Sequence, residues 1–235
     1  MNLRRGPQLP YRLVAGVVPA RGRWLIASAK VAGGTFAPET PRLHDTFLEI
    51  LSETPQLDTI VISAPIGHPN VPLRGLRACD REAQALLGPR GGAIVPVVSR
   101  DVIAATDRWV EGLDVVTSAQ LPRFRQVAEE MSPFRQRTVY EGRAELSFMQ
   151  LNNGQPMRYA KSRDEGVVER RELLLAKLNG VDRLIDAELP GVAPHALLDA
   201  AVLVWTARRA FTHAARRIPF EPEWDSEGLR MEFVV

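Results

Sequence analysis

The chain has 235 residues, 45% of them hydrophobic and 25% charged, and this mix excludes a disordered segment, a collagen-like rod and a bare repeat array. Thirty Lys and Arg stand against 28 Asp and Glu, a net charge of +2, so no strong field points to nucleic acid; Lys30, Lys161 and Lys177 are the only lysines, and the arginine bias is one that GC-rich coding produces by itself. Cys79 stands alone, which rules out an intrachain disulfide or a multi-cysteine zinc site. No apolar run approaches the roughly 18 residues of a membrane span, and Met1 to Arg5 is basic without a following signal-peptide core, so a cytoplasmic protein with no membrane partner is expected.

The length suits one large domain over residues 1–235. Tyr11 to Val18 reads as a strand that stops at Pro19, and Ala20-Arg21-Gly22-Arg23 turns it into a second strand at Trp24 to Ser28. Gly33-Gly34 makes a second turn into a strand at Thr35 and Phe36. Thr40-Pro41 then reads as the cap of a helix carrying Leu43, Phe47, Ile50 and Leu51 on one face.

Asp58 to Ala64 is a nearly continuous apolar run, the pattern of a strand buried on both faces. Leu76 to Leu87 has helical spacing and stops at Gly88-Pro89, and Ile94 to Val98 is a short extended piece. Asp101 to Met131 reads as a helical insertion, with Ser118 as N-cap of its second half. Thr138 to Glu141 is a strand leading into a helix with Leu146, Phe148 and Leu151. Helices are expected near Glu165 to Leu178 and His195 to Ala215, and Arg230 to Val235 as a last strand at an edge.

There is no phosphate-binding Walker loop, no G-x-G-x-x-G, no G-x-S-x-G and no H-E-x-x-H. Cys79 next to Asp80 reads as a packing residue before a nucleophile, and His44, His68, His195 and His213 show no ligand spacing. Arg208, Arg209, Arg216, Arg217, Arg123, Arg125 and Arg135 suit phosphate contacts or, with so small a net charge, solvated helix faces. Trp24, Trp109, Trp205 and Trp224 do not interleave with them as a stacking platform.

The order of elements is three strands, helix, strand, helices, strand, long helix, with a few acids near the element ends. It is the order of a ribonuclease H-like α/β fold: a mixed sheet with helices on both faces, here with an α-helical insertion at about 101–131. Gly16, Gly22-x-Trp24, Ala64-Pro65-Ile66-Gly67, Arg77-x-Cys79-Asp80-x-x-Ala83 with Leu87-Gly88, and Val139-x-Glu141-x-x-x-Glu145-x-x-Phe148 carry a more specific likeness. Lys161, Gly166, Arg170, Leu197-Leu198-Asp199-Ala200, Ala207 and Asp225-x-Glu227-Gly228-Leu229 extend it. From about Leu13 to Val234 the chain resembles a bacterial and archaeal family of predicted RNase H-like nucleases, a domain of unknown function.

The resemblance implies a two-metal phosphodiester hydrolase, in which carboxylates hold hard cations that activate water. In the family one Asp ends the first strand, in a Gly-Val-Asp-Gly pattern, another precedes the Ala-Pro of the later strand, and an adjacent Asp pair opens the last helix. Here those places read Gly16-Val17-Val18-Pro19, Ile62-Ser63-Ala64-Pro65 and His195-Ala196. Valine cannot bind a metal, and a serine hydroxyl lacks the charge that holds one.

Asp199, Glu145 and Glu141 remain as catalytic candidates, Asp199 and Glu145 as metal ligands, and Arg77, Asp80 and Lys161 as further cleft residues. Two readings follow. One is a non-catalytic member with a degraded metal site that binds a nucleic acid, a nucleotide or a protein partner, with no cofactor. The other is an active Mg²⁺- or Mn²⁺-dependent nuclease on a site relocated to Glu141, Glu145 and Asp199, joined by Asp80. A structural or interaction subunit is a third reading. A structural role for each acid stays open as well: Glu145 in a helix's first turn, and Asp199 paired with an arginine such as Arg77 or Arg81.

Overall fold

The computed structural model describes residues 10–105 and 110–235; Met1 to Arg5 and Trp109 lie outside the described residues. Three strands open the chain: β1 Arg12–Ala20, β2 Arg23–Ala32 and β3 Thr35–Pro38, each antiparallel to the one before. A short strand β4 (Arg42–His44) also pairs with β2, and helix α1 (Phe47–Leu51) follows. Next come β5 (Thr59–Ile62), the two-residue strand β6 (Arg74–Gly75), α2 (Ala78–Leu87), β7 (Val97–Val98), α3 (Arg100–Ala104) and α4 (Val115–Glu130). The rest is β8 (Val139–Glu141), α5 (Ala144–Leu151), α6 (Asp164–Lys177), α7 (Asp182–Ile185), α8 (Pro194–Phe211), β9 (Arg217–Trp224) and β10 (Arg230–Val234).

The main sheet runs β3-β2-β1-β5-β8, with β1, β5 and β8 parallel to one another. Side chains alternate across it with period two. Val14, Val18, Leu25, Ala27 and Ala29 face α8 and the helices around it, whereas Leu13, Ala15, Val17, Trp24 and Ile26 face α1 and α4. The fold is therefore a mixed α/β sheet covered by helices on both faces. Gly16 sets the spacing on the α8 side: a Cβ there would come within 2.3 Å of the Ala200 carbonyl oxygen and 2.6 Å of the Val204 nitrogen, so only glycine lets the helix lie so close to β1. On the other face Gln126 Oε1 accepts from Trp24 Nε1 (2.7 Å) and from the Phe47 backbone N–H (3.2 Å), joining α4, β2 and α1.

Four local expectations are corrected. β1 does not stop at Pro19 but runs on to Ala20, because the backbone of Pro19 turns to the side where β5 has already ended and no ladder bond is missed. Arg42, Leu43 and His44 are strand, captured by the unused length of β2; α1 starts only at Phe47, where the Thr46 hydroxyl accepts from the Glu49 N–H. The second insertion helix is capped by Asp114, not Ser118. The Asp114 carboxylate accepts from the Thr117 N–H (2.9 Å) and hydroxyl (2.7 Å), hydrogen bonds that hold its pKa down to about 2. Finally, the last strand does not join the main sheet: β10 pairs with β9 in a separate hairpin.

Candidate functional site

Parallel strands end together, and loops following such ends are where open α/β sheets place their ligands. Val17 pairs with Ile62 and Ile62 with Glu141, so Val18 and Ser63 stand at the same end of neighbouring strands, and the chain leaving β8 enters α5 beside them. The first turns of α5 and α8 close over this end. Together they line a cavity of about 420 Å³ that holds Val18, Ser63, Glu145, Lys161, His195, Ala196 and Asp199. The three places where the resemblance leads carboxylates to be expected thus share one pocket with two of the candidate acids.

Neither retained acid is free. Glu145 accepts two hydrogen bonds of 2.8 Å from Arg170 Nη2, one to each carboxylate oxygen, and a longer 3.4 Å contact from Arg90. Arg170 is fully buried, its guanidinium lies 5.4 Å from the Phe148 ring, and it also donates to the Tyr159 and Gly166 carbonyls. At Gly166 a Cβ would fall 2.0 Å from the Ala160 carbonyl oxygen, so glycine lets the start of α6 lie against that turn. Asp199 is paired with Lys161 through Oδ2, not with Arg77 or Arg81. Its Oδ1 is buried and has no hydrogen-bond partner. Beside this pair, burial and then the Lys161 charge lower the His195 pKa, which leaves the ring neutral at neutral pH.

Glu141 lies elsewhere. It faces away from the cavity into a sealed cluster in which Arg77 donates to both of its oxygens (2.8 Å each), the Ile66 N–H adds a third hydrogen bond (2.7 Å) and Arg143 an ion-pair contact (2.9 Å). The same Arg77 makes two bonds to Asp80, at 2.9 and 3.0 Å. Burial alone would raise the Asp80 pKa, but the Arg77 guanidinium overrides it and holds the carboxyl below its usual range. The ring of Phe233 lies against both Arg77 and Arg143. Arg77 and Asp80 are therefore residues of the cluster that includes Glu141 and do not line the cleft. Cys79, between them, is buried, and burial pushes its thiol up to about 12, consistent with a packing residue.

Glu141, Glu145 and Asp199 do not converge, and among the described residues no three His, Cys, Asp or Glu side chains form a group that could hold a metal ion. The donor set at the cleft does not fit a pair of hard cations: Val18 and Ala196 offer no ligand, Ser63 a neutral one, and the two acids are already neutralised.

The arginines expected on open faces are tied to their own neighbours. Arg217 pairs with Glu232, Arg216 with Glu82 and Arg135 with Glu130; Arg208 and Arg209 lie over Phe36 and Trp205; Arg123 bonds Gln120 and the Ala119 carbonyl, and Arg125 the Ile103 carbonyl. Two pocket cations, Arg90 and Arg143, went unread in the sequence, since a lone arginine after a helix stop or before a helix start has no periodic signature. No described helix is long and apolar enough to cross a membrane.

No curated protein and no solved structure matches the chain. A family model does, over residues 16–224, its description being a protein of unknown function, DUF429. With most of its length inside that match, from the middle of β1 to the end of β9, the chain belongs to the DUF429 family.

Proposed function

We propose that this chain is a non-catalytic member of a ribonuclease H-like nuclease family, with a cleft that has exchanged metal binding for ligand binding. The mixed sheet, three antiparallel strands followed by two parallel ones under helices on both faces, supports the ribonuclease H-like part of the reading. One observation carries the rest. Val18, Ser63 and Ala196 line the same pocket as Glu145 and Asp199, and a basic side chain holds each of those two acids. A nuclease of this kind needs several uncommitted carboxylates around one phosphate. The alternative site built on Glu141, Glu145 and Asp199 is disfavoured by their separate partners.

Hydrolysis of single-stranded RNA, DNA and an RNA–DNA hybrid tests the reading. Incubation with Mg²⁺ or Mn²⁺ is expected to give no cleavage above the metal-only background. Metal-dependent cleavage that disappears in Asp199→Asn would overturn it. Restoring acids supplies the positive arm: Val18→Asp combined with Ser63→Asp should raise Mn²⁺ affinity above that of the wild type, and no gain would mean that these positions do not line a former metal cleft.

A further inference from the structure

Resting on that non-catalytic reading, we infer that the pocket is a binding site for a small phosphate monoester of nucleoside monophosphate size, its phosphate held by Arg90, Lys161 and Arg143. The first argument is charge pairing. Glu145 is satisfied by Arg170 from behind, Asp199 is matched by Lys161, and Arg143 shares Glu141 with Arg77. Arg90 is then the cation left over: its 3.4 Å contact reaches a carboxylate that Arg170 already neutralises. Lys161 is half-exposed and carries three donor hydrogens, with Asp199 its ion-pair partner.

Helix ends add to this field. The first turn of α5 lines the pocket without a side chain capping its N-terminus, so its partly positive N–H groups add to the field; α8 adds less, since Pro194 has no N–H and that of Ala196 already donates to the Ala193 carbonyl.

The rest of the pocket describes the rest of the ligand. Asp199 Oδ1 is a buried acceptor without a donor, inside a residue only 5% exposed, and a hydroxyl or amino group on the ligand would supply the missing hydrogen bond. The opposite wall is apolar: Ile94, Val95 and Val97 from the segment before α3, with Val116 and Phe124 from α4. A ring that stacks on Phe124 would bury both surfaces. A volume of about 420 Å³ is that of a small-molecule site, whereas a strand of nucleic acid needs a groove with a succession of cations, and the outlying arginines are engaged elsewhere.

Isothermal titration in EDTA tests the assignment with four probes: adenosine 5′-monophosphate, uridine 5′-monophosphate, inorganic phosphate and adenosine. Both monophosphates are expected to bind at least roughly tenfold tighter than either fragment, because phosphate and ring contacts act together. Arg90→Gln, which removes a partly exposed side chain outside the core, should weaken the monophosphates by roughly tenfold or more, as should Lys161→Met. Phe124→Ala should weaken the monophosphates and leave inorganic phosphate unchanged. No binding of either monophosphate at about 1 mM, or wild-type affinity in both Arg90→Gln and Lys161→Met, would each overturn the assignment. Recovery of the probes after incubation with Mg²⁺ separates the two claims. An intact nucleotide that does not bind defeats the ligand assignment alone, and a hydrolysed one that does bind defeats only the non-catalytic reading.

Discussion

Two acid–base groups flank the same stretch of backbone, and they are built to opposite specifications. Around Glu141 every carboxylate oxygen and most guanidinium hydrogens are used, water is shut out, and an aromatic ring closes the side. Around Asp199 a single lysine, half in solvent, serves one oxygen and leaves the other empty at the edge of a cavity. Arg143 belongs to both, with its Nη2 on Glu141 and its side chain along the pocket. An acid in a sequence can thus be a structural member or a site member, and the count of its donors tells which.

The largest expected effect lies in the closed cluster. Arg77→Met leaves Glu141 and Asp80 buried beside each other with too few partners, and a loss of about 3–5 kcal/mol is expected from urea denaturation. A loss under about 1 kcal/mol would erase the distinction between the two groups.

Acid should act next, through His68. Its ring lies beside the same cluster, with Nδ1 2.9 Å from the Val98 carbonyl oxygen, and burial holds its pKa down to about 4 against the ordinary 6.5. Between those values the unfolded chain binds a proton that the folded chain refuses. Stability therefore falls as the pH drops through this window, by about 3 kcal/mol at its lower end. Denaturation midpoints measured from pH 7 to pH 4 should show this slope in the wild type and a flatter one in His68→Gln; equal slopes would remove His68 from the account.

Gly16→Ala should cost about 1–3 kcal/mol by pushing α8 off β1. Because α8 carries Asp199, the variant should also disturb the open pocket, read as weaker nucleotide binding, while Arg77 and Glu141 keep their pairing. The smallest stability effect belongs to Lys161→Met, about 1–2 kcal/mol: the lysine end of the pair is half-exposed, but its loss leaves the Asp199 carboxylate, 7% exposed, without a partner. A larger change in its thermal midpoint would mean that the pocket pair is structural too.

Much of the fold could be read from residue patterns, because β1, β2, β5 and α8 are long or strongly apolar and alternation or helical spacing marks them. β9 was invisible: Pro219, Glu221, Pro222 and Glu223 hide a strand whose partner, β10, lies beyond a turn. That turn is organised by Asp225, whose Oδ1 accepts from the Glu227 and Leu229 N–H groups and whose Oδ2 pairs with Arg100, so the Asp225-x-Glu227-Gly228-Leu229 motif serves architecture. For the site, Val18, Ser63 and Ala196, singled out in the sequence, line one pocket. The division of labour between Glu141 and Asp199 did not show, because it depends on which cations arrive from α2, α6 and the loops, and nothing in the spacing records that. A basic partner for Asp199 is legible in the sequence, but not that it is Lys161 and not an arginine.

The β9–β10 hairpin carries a different lesson. Phe220 and Trp224 project from β9 largely exposed, and among the described residues β9 pairs with β10 alone, so a strand edge with large aromatic side chains faces outward. Such edges recruit other chains into growing sheets. Pro219 and Pro222 remove two N–H donors from this eight-residue strand, Glu221 adds repulsion between copies, and Glu223 ties the strand to α2 through the Ala78 N–H and Arg81. The same residues that concealed the strand are its protection against self-association, and replacing both prolines with valine would be expected to turn this hairpin into a seed for aggregation.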